Sequence, residues 1–221
     1  MTEQVTGLDA DRVRANVAEA RERIATAARI AGRDPAGVEL LAAVKYVPLA
    51  ELGILAEAGL TLLGENRAQD LEAKAAAWGG AGFAWDFIGH LQSRKVKQVL
   101  PYVRWIHSVA SDSALKELGR HAGPGTEILV EVNIAREEGK SGIDPGELDA
   151  FLERCPVKVV GLMTMPPTAQ RPEDSRRWFA ALAELAGERG LRELSMGTSQ
   201  DYAVAAQEGA TIVRLGTILY T

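Results

Sequence analysis

Cysteine is almost missing: Cys155 is the only one among 221 residues. A lone thiol closes no intramolecular disulfide, so the stapled architectures of small secreted domains are excluded and a reducing, cytoplasmic setting is expected. No His/Cys/Asp spacing has the form of a metal-ligand set, and no metal centre is expected. Positive charge is not in excess either. The formal net charge is −5, which argues against a surface dedicated to nucleic acid. No apolar run approaches the ~20 residues that cross a bilayer, so no membrane span is expected. The start, Met1-Thr2-Glu3-Gln4, is polar and acidic and lacks the character of a secretory leader. With no linker, low-complexity stretch or second domain in view, a single domain over residues 1–221 is expected. What remains is ordinary for a soluble globular chain, with 47% hydrophobic and 25% charged residues, and it is long enough to bury a sizeable core.

The chain alternates between two periodicities. Residues 8–30 carry Val13, Val17, Ala20, Ile24, Ala27 and Ala28 at helical spacing, and Gly32 and Pro35 end the pattern. An apolar strand from Leu40 to Val44 then ends on Lys45, and Pro48 closes it. From there, helical patterns at 49–58, 68–78, 94–100, 112–121, 144–155, 172–189 and 200–208 alternate with strand-like ones at 61–66, 85–89, 104–109, 127–133, 157–164, 194–196 and 211–215. Gly79-Gly80 ends the second of those helices, and Ser111 or Asp112 caps the fourth. Strands of near-continuous hydrophobicity between helices mean a parallel sheet. Eight such strands, counting the one that ends on lysine, predict an α/β fold: a single (β/α)8 TIM-type barrel with an extra N-terminal helix outside it. An open doubly wound sheet is the alternative.

In such a barrel the chemistry gathers at the C-terminal ends of the strands. Lys45, Glu65, Asn66, His90, His107, Ser108, Asn133, Thr164, Ser199, Arg214 and Thr217 all fall there, although each alone could be a cap or a loop residue. Lys45 has two readings: a strand-end lysine that reaches solvent, or a desolvated amine of lowered pKa, nucleophilic toward an aldehyde. Strand alternation puts Leu41, Ala43 and Lys45 on one face, with small Ala43 leaving room for a ligand and Tyr46 facing the other way. Gly197-Thr198-Ser199-Gln200-Asp201 sets a glycine and two hydroxyls before a helix. That suits an anion, and a plain helix start capped by Ser199 is the competing explanation. Arg214 shares a face with Ile212 and Gly216, and an arginine inside a strand is costly without a partner. Gly216 lets a ligand approach the backbone, and Thr217 adds a hydroxyl. Barrels often build phosphate sites from the loops after strands seven and eight, which these two motifs are. An amine facing a phosphate cradle describes a cofactor that is both aldehyde and phosphate, pyridoxal 5′-phosphate (PLP). Arg214 would then meet the pyridine nitrogen. A guanidinium only donates, so that nitrogen would stay unprotonated and the cofactor would be a weaker electron sink.

Several further motifs stand in order along almost the whole chain: Ala43-Val44-Lys45, Gly64-Glu65-Asn66-Arg67-Ala68-Gln69, Phe87-Ile88-Gly89-His90-Leu91-Gln92, Ile106-His107-Ser108-Val109, Val132-Asn133 with Lys140-Ser141-Gly142, Gly161-Leu162-Met163-Thr164, Ser195-Met196-Gly197 with Ser199 and Asp201, and Val213-Arg214-Leu215-Gly216-Thr217. In these the sequence resembles the pyridoxal phosphate homeostasis protein family. The resemblance implies an alanine-racemase-like barrel of fold type III, without the C-terminal β domain, holding PLP as an internal aldimine on Lys45. It places the phosphate on Ser199, Gly216 and Thr217, Arg214 near the pyridine nitrogen, Asn66 near the cofactor's substituents, and Met163 and Ser195 on the pocket wall. Three positions depart from the family. Thr198 stands where methionine is usual, Arg94 where asparagine is common, and the sequence ends at Thr221 where relatives often continue. The first of these touches the shape of the phosphate loop.

The resemblance also carries a function. The family is known for binding PLP and affecting vitamin B6 and amino-acid homeostasis, with no established catalytic activity. A non-catalytic PLP protein is therefore expected, with PLP-dependent apoenzymes as recipients. A PLP-dependent amino-acid racemase is the alternative, but racemisation needs a base on each face of the carbanion. The racemases supply a tyrosine across a dimer interface, and none of Tyr46, Tyr102, Tyr202 and Tyr220 sits in a matching motif. A cofactor-free aldolase using Lys45 would account for an amine and a phosphate site but not for the full set of motifs. A monomer is expected, because the second domain is missing. Lys140, in the loop Glu137-Glu138-Gly139-Lys140, could hold PLP without bonding to it. His90 and His107 read as structural groups, and Arg94, Lys95 and Lys97 as a solvated helix face.

Overall fold

The long helical pattern near the start of the sequence forms a helix in the computed structural model, which describes residues 4–78 and 82–221. Helix α1 (Ala10–Ile30) begins at Asp9, whose carboxylate accepts the Arg12 N–H at 2.7 Å. Its buried residues are Val13, Val17, Ala20, Ile24, Ala27 and Ala28, the stripe read from the sequence. Each buried Val or Ile contributes about 1.5–3 kcal/mol over leaving it exposed. Gly32 takes a φ of 69° and turns the chain out of the helix. The helix lies outside the barrel against α8 (Tyr202–Gln207). Arg33, just beyond it, donates to the carbonyls of Ala206, Gly209 and Ala210 and fastens that contact.

The barrel itself is closed. Strands β1 (Glu39–Ala43), β2 (Leu62–Glu65), β3 (Ala84–Phe87), β4 (Trp105–Val109), β5 (Glu127–Glu131), β6 (Lys158–Met163), β7 (Glu193–Ser195) and β8 (Ile212–Leu215) are neighbours in sequence order. Strand β8 returns to β1 in parallel register from Glu39 opposite Ile212 to Ala42 opposite Leu215, so the open-sheet alternative is wrong. Helices α2 (Leu52–Glu57), α3 (Ala68–Trp78), α4 (Val96–Val99), α5 (Asp112–His121), α6 (Leu148–Glu153) and α7 (Arg176–Gly187) fill the intervals. Four of them are shorter than the periodicity suggested, because tighter three-residue-per-turn segments precede them at Leu49–Glu51, Ser93–Lys95, Pro145–Glu147 and Pro172–Ser175. Ser111 is the cap of α5, accepting the Ala114 N–H at 3.2 Å. Gly79 and Gly80, read as the end of α3, lie outside the described residues. Strand β1 stops at Ala43, two residues short of Lys45, and a turn follows in which the Val47 N–H donates to Val44 O at 3.0 Å.

Two kinds of interior result. Between barrel and helices lies the main apolar core, with Val44, Leu63, Phe87, Ile106, Val130, Leu162 and Val213 supplied by the strands or their immediate ends. Inside the barrel the apolar part is small: Leu41, Leu62 and Ile212, with Ile88 and Trp105 against them. Polar groups share that inner space, for Asp86, His107, Ser195 and Arg214 are all buried. Groups of this kind are tolerated away from water only when hydrogen-bonded.

Candidate functional site

Beyond the C-terminal ends of the strands the barrel opens into a cavity of about 510 Å³. Seven of the eight residues assigned to the cofactor meet on its wall: Lys45, Asn66, Met163, Ser199, Arg214, Gly216 and Thr217. Ser195 does not. It is fully buried below the cavity and reaches it only through Arg214. Lys45 is exposed at the mouth, not sealed in the dry wall that the apolar run suggested, because the strand that carries that wall has already ended. Its Nζ lies 4.6 Å from the centre of the Tyr46 ring. Tyr46 lines the same cavity, so the expectation that it faces away is also wrong. Strand alternation does not extend through a turn.

That turn is clamped from below. The Tyr220 hydroxyl donates to Ala43 O at 3.2 Å, and Lys74 Nζ donates to Val44 O at 2.8 Å. Lys74 also meets Glu65 at 2.5 Å, and the other oxygen of Glu65 accepts the N–H groups of Asn66 at 2.6 Å and Arg67 at 3.3 Å. One buried ion pair thus supports both Lys45 and Asn66, and Glu65 belongs to this support and not to the cavity wall. The loops after β2 and β3 then touch backbone to backbone, since a Cβ on Gly89 would lie 2.0 Å from Asn66 O. Asn66 Oδ1 is buried and has no hydrogen-bond partner among the described residues. An unsatisfied buried group costs about 1–3 kcal/mol, so the amide is ready for a ligand.

The loops after β7 and β8 form the opposite part of the wall. Gly197 has a φ of 89°, and a Cβ there would fall 2.5 Å from that of Ala205. Asp201, not Ser199, occupies the cap position of α8. Its carboxylate turns back to accept the Thr198 N–H at 2.8 Å and hydroxyl at 3.2 Å, and takes the Ser175 hydroxyl at 2.8 Å on its other oxygen. Ser199 is therefore released from capping and turns to the cavity, where its oxygen accepts the Gly216 N–H at 3.4 Å. At Gly216 an added Cβ would meet nothing nearer than 3.9 Å, so its backbone lies bare toward a ligand.

Arg214 occupies the floor. Its Nη1 donates to Ser195 Oγ at 2.6 Å, and its Nη2 to Thr164 O at 2.9 Å and to the Met165 sulfur. Ser195 Oγ lies 2.8 Å from His107 Nδ1, and His107 Nε2 lies 3.1 Å from Asp86 Oδ2. Asp86 accepts further bonds from Arg104 at 2.8 and 3.2 Å and from the Trp105 N–H at 3.2 Å. Arg104 finally pairs with Glu39 at 2.8 Å at the far end of the barrel. Burial pulls the Arg214 guanidinium down to about 10, with Glu131 and Asp201 partly offsetting it, and it remains a cation at neutral pH. Burial also lowers the His107 pKa despite the opposing pull of Asp86, so the ring is neutral at neutral pH. For Asp86 burial acts upward, but the bonds from His107 and Arg104 outweigh it and hold the carboxyl below its ordinary value. His107 is thus a central barrel group and not one at the mouth. His90 does line the cavity, as does Glu131, which accepts the Ser141 hydroxyl at 2.6 Å. Lys140 pairs with Glu137 at 3.1 Å and is not part of the cavity wall.

Comparison with known proteins places this geometry. The family model for the alanine racemase N-terminal domain matches residues 8–221. A pyridoxal phosphate homeostasis protein of Aquifex aeolicus is 41% identical over 212 residues, covering 90% of this chain and 93% of that protein. One from Pseudomonas aeruginosa is 40% identical over 215 residues, covering 93% of each. Among solved structures, PipY of Synechococcus elongatus with PLP bound matches with a TM-score of 0.74 at 32% identity, covering 91% of this chain and 99% of that one. An alanine racemase from Corynebacterium glutamicum shares the fold at a TM-score of 0.70 and 18% identity, and this chain spans 63% of its length.

Proposed function

We propose that this chain, which belongs to the pyridoxal phosphate homeostasis protein family, holds PLP at the barrel mouth and serves the intracellular supply of that cofactor without catalysing a reaction of its own. The observation that carries the reading is the meeting of the Lys45 amine and the joined Ser199–Gly216 loops on one cavity. The amine adds to the cofactor's aldehyde carbon, water leaves, and a C=N bond replaces C=O. Ser199, Gly216 and Thr217 take the phosphate. Arg214 donates to the ring nitrogen, Asn66 satisfies its free amide on the ring substituents, Met163 packs on the wall, and Ser195 contributes by holding Arg214. The bound group supplies an electrophilic carbon and an electron-withdrawing ring, and a guanidinium facing the ring nitrogen leaves it unprotonated. Three features among the described residues suit the group: the unpartnered Asn66 oxygen, the bare backbone at Gly216, and an Arg214 cation hydrogen-bonded to neutral groups alone. In this reading residues 1–221 form one cofactor-binding domain that acts as a monomer in the cytoplasm and passes PLP to PLP-dependent apoenzymes.

A racemase is the second reading, and Tyr46 on the cavity wall is the observation in its favour. Tyr46 and Lys45 are stacked neighbours on one turn, whereas racemisation needs bases on opposite faces of the reacting carbon. The test is the visible absorbance of the wild type and Lys45→Ala with added PLP, followed by borohydride reduction and mass spectrometry. A band that Lys45→Ala lacks, with the reduced adduct on Lys45, is expected. No band with PLP, or an adduct on another lysine, overturns the reading. Turnover in amino-acid racemase assays would favour the second one.

A further inference from the structure

We propose that Ser195, His107 and Asp86 are positioning residues that act through Arg214, forming a proton-ordered chain that fixes the direction of its guanidinium toward the ring of the bound cofactor. The proposal rests on the reading of the site given above, in which Arg214 meets that ring.

The order follows from the ends of the chain. Arg104 and Arg214 carry donors and no acceptor. Asp86 receives Arg104 twice and the Trp105 N–H, and as a carboxylate it only accepts. The His107 nitrogen that faces it, Nε2, must therefore carry the hydrogen. The ring is buried among three other charged groups of this chain, and a second proton on it would set a third cation inside the barrel. Nδ1 is left as a lone pair, so the Ser195 hydroxyl donates to it. The Ser195 oxygen is then free to accept from Arg214. Every hydrogen has one place.

The reverse order fails at both ends. With the hydrogen on Nδ1, a lone pair at Nε2 would face the Asp86 carboxylate. Ser195 would receive two donors, and its own hydrogen would be left without an acceptor among the described residues. The chain can therefore be read in one direction only, from Arg214 down to Asp86.

Two consequences reach the cavity. Arg214 is held by a hydroxyl, a carbonyl and a thioether, so among the described residues no carboxylate hydrogen-bonds it and its charge is not neutralised at contact. The charge of Asp86 is instead taken up by Arg104 at the other end. The N–H groups of Arg214 left toward the cavity are fixed in direction, and the ligand atom that meets them must be an acceptor. The site thus selects a ring whose nitrogen keeps its lone pair.

Two measurements test this. The first uses the unliganded protein: heteronuclear NMR of the histidine ring nitrogens, with His107 assigned by elimination using His90→Gln and His121→Gln. His107 is expected as the neutral Nε2–H tautomer at neutral pH, and an Nδ1–H or doubly protonated ring overturns the chain whatever the cofactor does. The second compares affinity for PLP with that for its analogue in which C–H replaces the ring nitrogen, in the wild type and in Ser195→Ala. A bond to a charged group is involved, so Ser195→Ala is expected to weaken PLP by about tenfold and the analogue by much less, shrinking the wild-type preference. Equal weakening of both ligands would mean a merely structural serine and overturns the proposal. A wild type that binds neither ligand overturns the underlying reading and this proposal with it. A wild type that binds PLP but shows no preference overturns the proposal alone.

Discussion

Replacing Lys74 by methionine removes one charge from a pair whose side chains are 8% and 0% exposed and 2.5 Å apart. The apolar stem is nearly preserved, so the loss is electrostatic. Glu65 is stranded, and Val44 O loses one of its two donors, keeping the Val47 N–H. Breaking a buried pair from one side costs about 3–5 kcal/mol. The lower end applies here, because Glu65 keeps the N–H groups of Asn66 and Arg67. A chain of this size loses roughly 2–4 °C of melting temperature per kcal/mol, so Lys74→Met should melt about 10 °C below the wild type by calorimetry. Adding Glu65→Gln removes the stranded charge and should recover about half of that loss, a coupling expected of groups in contact. The tether to Val44 also supports the Lys45 turn, so Lys74→Met should take up PLP more weakly even where it is folded. A single variant that melts within about 3 °C of the wild type would refute the reasoning. So would a double variant no more stable than the single one.

Gly89→Ala forces a methyl group to within 2.0 Å of Asn66 O. Backbone lies on both sides of that contact and cannot yield, so chemical denaturation should show a loss of about 1–3 kcal/mol or more, and an unchanged midpoint would contradict the packing described. The pH dependence of stability follows from His107. Burial holds its folded pKa below the ordinary 6.5, so as pH falls the unfolded chain takes the proton first. Stability should be full above about pH 6.5 and decline by about 1.4 kcal/mol per pH unit below it, until the folded ring itself protonates. Asp86, held below its ordinary 3.8, adds a loss only at lower pH, as its folded carboxyl becomes protonated. Urea denaturation at about pH 8, 6.5 and 5.5 would show the slope, and a flat profile would count against a buried neutral imidazole.

What could be read in advance depended on whether a pattern was local. The stripe on α1 repeats over about four turns, and its six residues are the six that are buried. The strands were legible because apolar runs between helices have no other use in a parallel sheet. Lys45 was found, but its surroundings were misjudged, because the rule that fixes side-chain direction in a strand was applied beyond Ala43. Ser199 could be read as an anion ligand or as a cap, and only the structure shows Asp201 in the cap position, its carboxylate turned back to Thr198. Asp86 went unnoticed between Trp85 and Phe87 because an alternating strand suggests a solvent face for the polar residue. In a barrel that face is the inside, and a buried acid there calls for a partner, which was the available signal. Lys74 is similar: it lies on the same helix face as Leu71 and Ala75, both buried. What no pattern could give is the pairing itself, since His107 and Ser195 are 88 residues apart.

The clasp of Arg33 on the carbonyls that end α8 joins groups up to 177 residues apart. On a ribosome that adds roughly 5–20 residues per second, the first helix emerges about 9–35 s before the helix it packs on. For that interval α1 has α2 to pack on but not α8, so part of its apolar stripe is uncovered. The barrel cannot close without β8, and β8 is the strand that pairs with β1. Folding of this chain is therefore a matter of waiting: the beginning must be kept from other company until the end is made.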